Sequence, residues 1–317
     1  MSRRVHASRS RLAAISLAAQ VSCTAAAPGE APCRLGGDTC ERALAAWGIT
    51  LPRGTSDLPL RGEPTLRVSP TAIFVRDEPV VALTNGRPAP GQFVDHVAPS
   101  LRDALAALAT SEQALAATQR SAWHARLTLL ADRSTPSSTL ADIRFTALQA
   151  GFADFDLVVQ DGRLLRAQAI AHPFAWLEPD PDIRYERALE VLFSVHRDSA
   201  EVSVARASAG AFPPSNACDP LVATCHDLAA ITAFAAELKQ RYPNEVVATL
   251  RADGEVPLQT VVSLLDAVRG PSCCLSGALE RGEKIPDDCL FWQAILDVEP
   301  PFRHDRGPRN EPAASAR

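Results

Sequence analysis

Two carboxylates sit in matching surroundings, one in each half of the chain. Asp132 follows Ala131 and precedes Pro136 and Thr139. Asp253 follows Ala252 and precedes Pro257 and Thr260 at the same spacing, each residue 121 positions from its counterpart. Paired carboxylates do acid–base work when their environments push their proton affinities apart. The same phrase, Ala-Asp-x-x-x-Pro-x-x-Thr, also suits a strand-to-helix turn. An Asp that ends a strand accepts amide hydrogen bonds from the turn after it. Pro is tolerated in the first turn of a helix, where no amide donor is needed. Thr135 is of the type that caps a helix start, whereas its counterpart Val256 cannot cap, so the second helix must be satisfied differently. Turn chemistry accounts for all six residues. As catalytic carboxylates the two Asp would lie in separate domains with no evident partners, so no catalytic residue is assigned and the chain is read as a non-enzyme without cofactor.

Other reactive types give less. The seven His are scattered, with no metal-spaced pair on a helix. There is no phosphate loop, dinucleotide fingerprint or nucleophile elbow. His172 and His196 read as surface or satisfied interior residues, and Asp266 with Arg269 as a surface ion pair. Eight cysteines suit an oxidising compartment. Local disulfides Cys33–Cys40 and Cys218–Cys225 are expected, with Cys289 bonded to Cys274 or to its neighbour Cys273. The rival reading is a metal site or an exported enzyme using Cys218, Cys225, His226 and the Cys273–Cys274 pair. These spacings match no short Cys-x-x-Cys zinc pattern, so no metal is assigned.

Size and composition bound the rest. The 317 residues allow two ordinary domains, and 46% hydrophobic content allows packed cores. A net charge of -5 and no basic, aromatic-rich cluster argue against nucleic acid as a partner. Arg3, Arg4, Arg9 and Arg11 precede the short apolar run Leu12 to Ala27. A basic leader, an apolar run and small residues read as an export signal, cleaved after Ala27. Lipidation of Cys23 and an uncleaved short anchor are the alternatives. The mature chain is expected in the periplasm, soluble or held at the periplasmic face of a membrane.

The elements that would position these residues repeat. Residues 28–64 are rich in Gly and Pro and read as a loosely ordered lead-in. Strands are expected over Leu66–Val75 and Pro79–Leu83, a helix over Gln92–Gln119 with Val94, Val97, Leu101, Leu105, Leu108 and Leu115 on its apolar face, a strand over 125–132, a helix from Pro136 to Gly151, and a strand at Asp156–Gln160 that turns at Asp161-Gly162 into a hairpin. Residues 172–187 read as a linker. The order then restarts: strands at Ala188–Val195 and Glu201–Ala207, a helix at His226–Tyr242, a strand ending in the second phrase, a helix from Pro257 to Gly270, and a strand over Cys289–Val298. The expected fold is α+β: two tandem two-layer domains, 65–171 and 188–301, each a small mixed sheet covered by two helices, before a disordered tail over 302–317.

The strand, the Ala-Asp-x-x-x-Pro-x-x-Thr turn and the apolar helix together resemble the periplasmic domain of the ExbD/TolR biopolymer-transport family. In the second copy the likeness runs through Ala252-Asp253, Val256-Pro257, Thr260-Val261-Val262 and Asp266-Ala267. In the first it adds LRVSPTAIFV and QAGFADFDLVV, Gln149 to Val159. Members of that family have an N-terminal membrane helix with an Asp, which works with ExbB/TolQ-type channel subunits, and a periplasmic domain that dimerises and in the Tol branch engages peptidoglycan. Here Leu12 to Pro28 contains no Asp or Glu. A membrane carboxylate is the group a proton motor needs. The resemblance therefore implies a doubled periplasmic-type domain accessory to a Ton- or Tol-type envelope system, one chain mimicking the dimer internally. Its implied partners are ExbB/TolQ-like or TonB/Tol-type proteins, or peptidoglycan. The alternative is a membrane-anchored transport subunit.

Overall fold

The protein is described by a computed structural model over residues 43–56, 58–60, 64–162, 164–170, 191–197, 199–204, 207–212, 226–270, 273, 289–291 and 293–297. The expected linker, the tail, the export segment with Cys23, and Cys33, Cys40, His172, Cys218, Cys225 and Cys274 lie outside these residues. Among the described residues no helix is long and apolar enough to cross a membrane.

The first unit comprises β1 (Thr65–Val68), β2 (Ala72–Val75), β3 (Glu78–Thr84), β4 (Arg87–Pro88), α1 (Pro99–Gln119), β5 (Arg126–Ala131), α2 (Ser137–Gln149), β6 (Asp154–Asp161) and β7 (Leu164–Ile170). The second comprises β8 (Val191–Val195), β9 (Ala200–Val204), β10 (Ala207–Phe212), α3 (Leu228–Arg241), β11 (Val247–Ala252), α4 (Leu258–Arg269) and β12 (Gln293–Asp297). The strands order as β4-β3-β2-β1-β5-β6-β7 in one sheet and β10-β9-β8-β11-β12 in the other. The second sheet repeats the middle of the first. In each, the first three strands are antiparallel neighbours, and the next two join in parallel. The α+β class with two units, each with a mixed sheet and two helices, is as expected.

Three local expectations need correction. The run Leu66–Val75 is a tight hairpin rather than one strand. Pro70 has no amide to give a ladder, and Ser69 closes the turn: its N–H donates to Ala72 O at 2.9 Å and its hydroxyl accepts from the Ala72 N–H at 3.0 Å. The first long helix starts at Pro99, not at Gln92. Val94 and Val97 exchange both backbone hydrogen bonds at 2.9 Å across Asp95 and His96, whose φ values of 49° and 66° are left-handed and incompatible with a helix. Val94 and Leu115, expected in the core, are exposed, while Leu101, Leu105 and Leu108 are buried. In the second unit the stretch after Ala200 holds two strands, β9 and β10, where one was expected.

The two units do not bury separate cores. One contiguous apolar cluster runs from Leu66, Leu129 and Ile143 in the first unit to Phe193, Val262 and Leu296 in the second. Helix α4 is buried around most of its girth, at Leu258, Val261, Val262, Leu264, Leu265 and Val268. Its remaining side carries Gln259, Ser263 and Asp266, which are half-buried. The lead-in is also ordered over its described part. Leu44, Ile49, Leu51, Leu58 and Leu60 pack on the opposite face of the first sheet, against Val158 and Ala167. The first unit is thus three layers deep there, rather than two behind a loose leader. Trp47 lies over the buried Arg67, its ring centroid 4.1 Å from the guanidinium carbon.

Candidate functional site

The two Ala-Asp-x-x-x-Pro-x-x-Thr phrases meet. Pro136 and Pro257 form an antiparallel bridge. The Ser137 N–H donates to Val256 O at 2.9 Å, and the Leu258 N–H donates to Thr135 O at 2.9 Å. The Ser138 N–H donates to Gly254 O at 3.1 Å, and the Gln259 N–H donates to Arg133 O at 2.9 Å. Within each pair, both donor and acceptor lie 121 positions from their counterparts, so the two halves contact each other reciprocally, as the two sides of an isologous interface do.

This pairing answers how the helices start. The first amides of a helix have no partner inside it. Thr135 was expected to cap α2, but neither α2 nor α4 receives a side-chain cap. Pro136 and Pro257 take the cap positions at φ -63° and -66°, and carbonyls of the opposite phrase accept from the amides that follow. The Thr135 hydroxyl is left buried without a hydrogen-bond partner. Side chains reinforce the seam. The Ser137 hydroxyl donates to Asp253 O, the Ser138 hydroxyl donates to Gly254 O at 2.8 Å, and Arg87 forks onto Glu255. The Thr139 hydroxyl donates to Gly86 O at 2.9 Å, which ties the β3–β4 turn to the helix start. Thr260 is buried, with its N–H on Pro257 O.

The carboxylates occupy different surroundings despite their shared place. Each Asp N–H donates to the end of the adjacent parallel strand, Asp132 to Val68 O and Asp253 to Val195 O. The Asp132 side chain is buried and accepts from the Thr50 N–H at 2.7 Å and from the Ser134 N–H at 2.9 Å. The Asp253 side chain is exposed and lies 2.8 Å from His196 Nδ1. The strand-to-helix role therefore describes both, and each is already engaged by a local partner.

A second contact between the halves was not legible beforehand. Residues 49–56 and 58–60 run as a strap along the β6–β7 hairpin and across α4. The Gly54 N–H donates to Gln160 O, and the Ala167 N–H donates to Leu58 O. Gln259 on α4 grips Arg53 twice: its Oε1 accepts from the Arg53 N–H at 2.8 Å, and its Nε2 donates to Arg53 O at 2.9 Å. The Thr55 N–H donates to Asp266 Oδ2 at 2.9 Å. Asp266 and Arg269 are not a surface pair. Arg269 is buried, and burial lowers its proton affinity against the pull of Asp266. Burial pushes the Asp266 carboxyl up to about 6, with the Thr55 amide and Arg269 pulling the other way. Arg144 on α2 completes the contact, donating from a buried guanidinium to Leu296 O on β12 at 3.2 Å. Cys273 and Cys289 form a disulfide, so the first of the adjacent cysteines is the partner of Cys289.

Chemically, this arrangement can hold two sheet units in one fixed relation. Among the described residues no group of three or more His, Cys, Asp or Glu is placed to hold a metal ion. No protein-family model, curated protein or solved structure matches this chain.

Proposed function

We propose that the chain is a non-enzymatic cell-envelope protein built like the periplasmic part of ExbD/TolR, doubled within one polypeptide and accessory to a Ton- or Tol-type transport or envelope-integrity system. The observation that carries this reading is the reciprocal backbone pairing of the two phrases, Ser137 with Val256 and Leu258 with Thr135. It supports an internal pseudo-dimer, in which one chain supplies both halves of a symmetric binding body. The phrase that resembles the family thus lies at the pseudo-symmetric centre, and its polar groups are engaged in the joint. The partners on this reading are ExbB/TolQ-like or TonB/Tol-type proteins, or peptidoglycan, reached from the periplasmic side.

Two measurements on the mature exported chain test it together. Light scattering after size exclusion should give a monomer, and affinity purification after in-cell crosslinking should recover envelope proteins of the Ton or Tol type. A stable homodimer would overturn the internal pseudo-dimer. An N-terminus by mass spectrometry that retains residues 1–27 would favour the membrane-anchored subunit instead.

A further inference from the structure

The strap presents alternate backbone amides to different units. The Gly54 N–H donates to Gln160 O in the first unit, while the N–H groups of Arg53 and Thr55 on either side donate to α4 in the second. Alternation of this kind is what an extended segment does, since successive groups point to opposite sides. Between those two bonds, Gly54 lies so close to α4 that a Cβ there would come within 2.6 Å of Val262 Cγ1 and 3.4 Å of Asp266 Oδ2. Only glycine lets the strap approach this closely. A carboxylate is thereby covered at the junction of three elements: its own helix α4, the strap, and the end of β6.

We propose that residues 49–56 are a releasable clamp on α4, with protonation of Asp266 closing it and ionisation loosening it. This is a property of the inter-unit joint, and it holds whether or not the envelope partners are those proposed above. The charged groups that bear on Asp266 are few. Arg269 on its own helix favours the ionised form, and Asp161 at the end of β6 opposes it. The strap offers Thr55, through its amide and its hydroxyl, and no positive charge that acts on the carboxyl. Neither Arg269 nor the Thr55 bonds offset the burial, since the carboxyl is still raised from its ordinary value of 3.8 to about 6. The sign follows by linkage. A group that binds its proton more tightly when covered favours the covered state at low pH, and that preference is lost as pH rises through the covered-state value. The clamp is therefore tightest below pH 3.8 and loosest above about pH 7. If lifting the strap returns the carboxyl to its ordinary value, the opening constant rises about tenfold between pH 5 and pH 7.5.

Amide hydrogen exchange on the full chain, corrected for intrinsic rates, reads this directly. The opening constants at Arg53 and Thr55 should rise about tenfold from pH 5 to 7.5. The constant at Gly54, bonded to the first unit, should stay within about twofold. In D266N the Arg53 and Thr55 constants should be independent of pH and about tenfold below the wild-type value at pH 5. Equal behaviour of Arg53, Gly54 and Thr55 overturns the proposal, because the strap would then leave both units together. So does a pH dependence that survives in D266N. Should D266N fail to fold, the comparison of Gly54 with its two neighbours in the wild-type chain decides alone.

Discussion

Replacing Gly54 with Ala tests the tightest glycine contact among the described residues. An added Cβ would lie 2.6 Å from Val262 Cγ1, and 3.5 Å from Val159 Cβ across the gap. Carbon atoms pack at about 3.5–4.0 Å, so the first contact is about 1 Å too short. Val262 and Val159 are both fully buried, so neither side can yield freely. The strap must lift, and the bonds from Arg53 to Gln259 and from Thr55 to Asp266, at 2.8 and 2.9 Å, would stretch beyond hydrogen-bonding range. Overpacking of this kind costs about 1–3 kcal/mol. Restricting the unfolded chain returns about 0.4–1 kcal/mol. The net loss is about 1–2 kcal/mol, or on the order of 3–8 °C in Tm. Thermal unfolding followed by circular dichroism measures it. The pair G54A with V262A isolates the contact: removing the two Val262 methyls should relieve the clash and leave a coupling of about 1 kcal/mol. An unchanged or raised Tm in G54A, or strict additivity in the double variant, would refute the close docking of the strap on α4.

The two phrase carboxylates should respond unequally. D132A removes a buried carboxylate that accepts from the Thr50 and Ser134 amides and should cost about 2–3 kcal/mol, whereas D253A loses an exposed contact with His196 and should cost less than about 1 kcal/mol; urea midpoints compare them. The disulfide Cys273–Cys289 spans 16 positions, and replacing both cysteines with Ser should lower stability by about 3 kcal/mol in the same assay.

The elements that were legible in sequence are those with a local, periodic cause. Alternating Leu127, Leu129 and Ala131 mark β5, the apolar stripe of Val261, Leu264, Leu265 and Val268 marks α4, and Asp161-Gly162 marks the hairpin. Local chemistry also overrode periodicity at two places. Left-handed Asp95 and His96 broke an apparent helix before Pro99, and Pro70 with Ser69 folded one apparent strand into two. The strap escaped notice because its anchors are backbone amides and aliphatic side chains in a Gly- and Pro-rich stretch, where composition suggests looseness. Asp266 and Arg269 read as a surface pair because i,i+3 spacing reports adjacency along a helix and says nothing of what covers it.

By itself the sequence determined that a strand-to-helix unit occurs twice, that Pro136 and Pro257 begin helices, and that Asp132 and Asp253 end strands. These follow from dihedral preferences and side-chain chemistry within a few residues. Only the tertiary structure decided that each phrase completes the other, that a fully buried Thr135 caps nothing, and that the lead-in clamps the second unit. The physical reason is that the decisive acceptors are main-chain carbonyls far away in sequence, such as Val256 O for the Ser137 N–H, 119 positions apart. Every residue carries such a carbonyl, so no residue type announces which helix start it will satisfy.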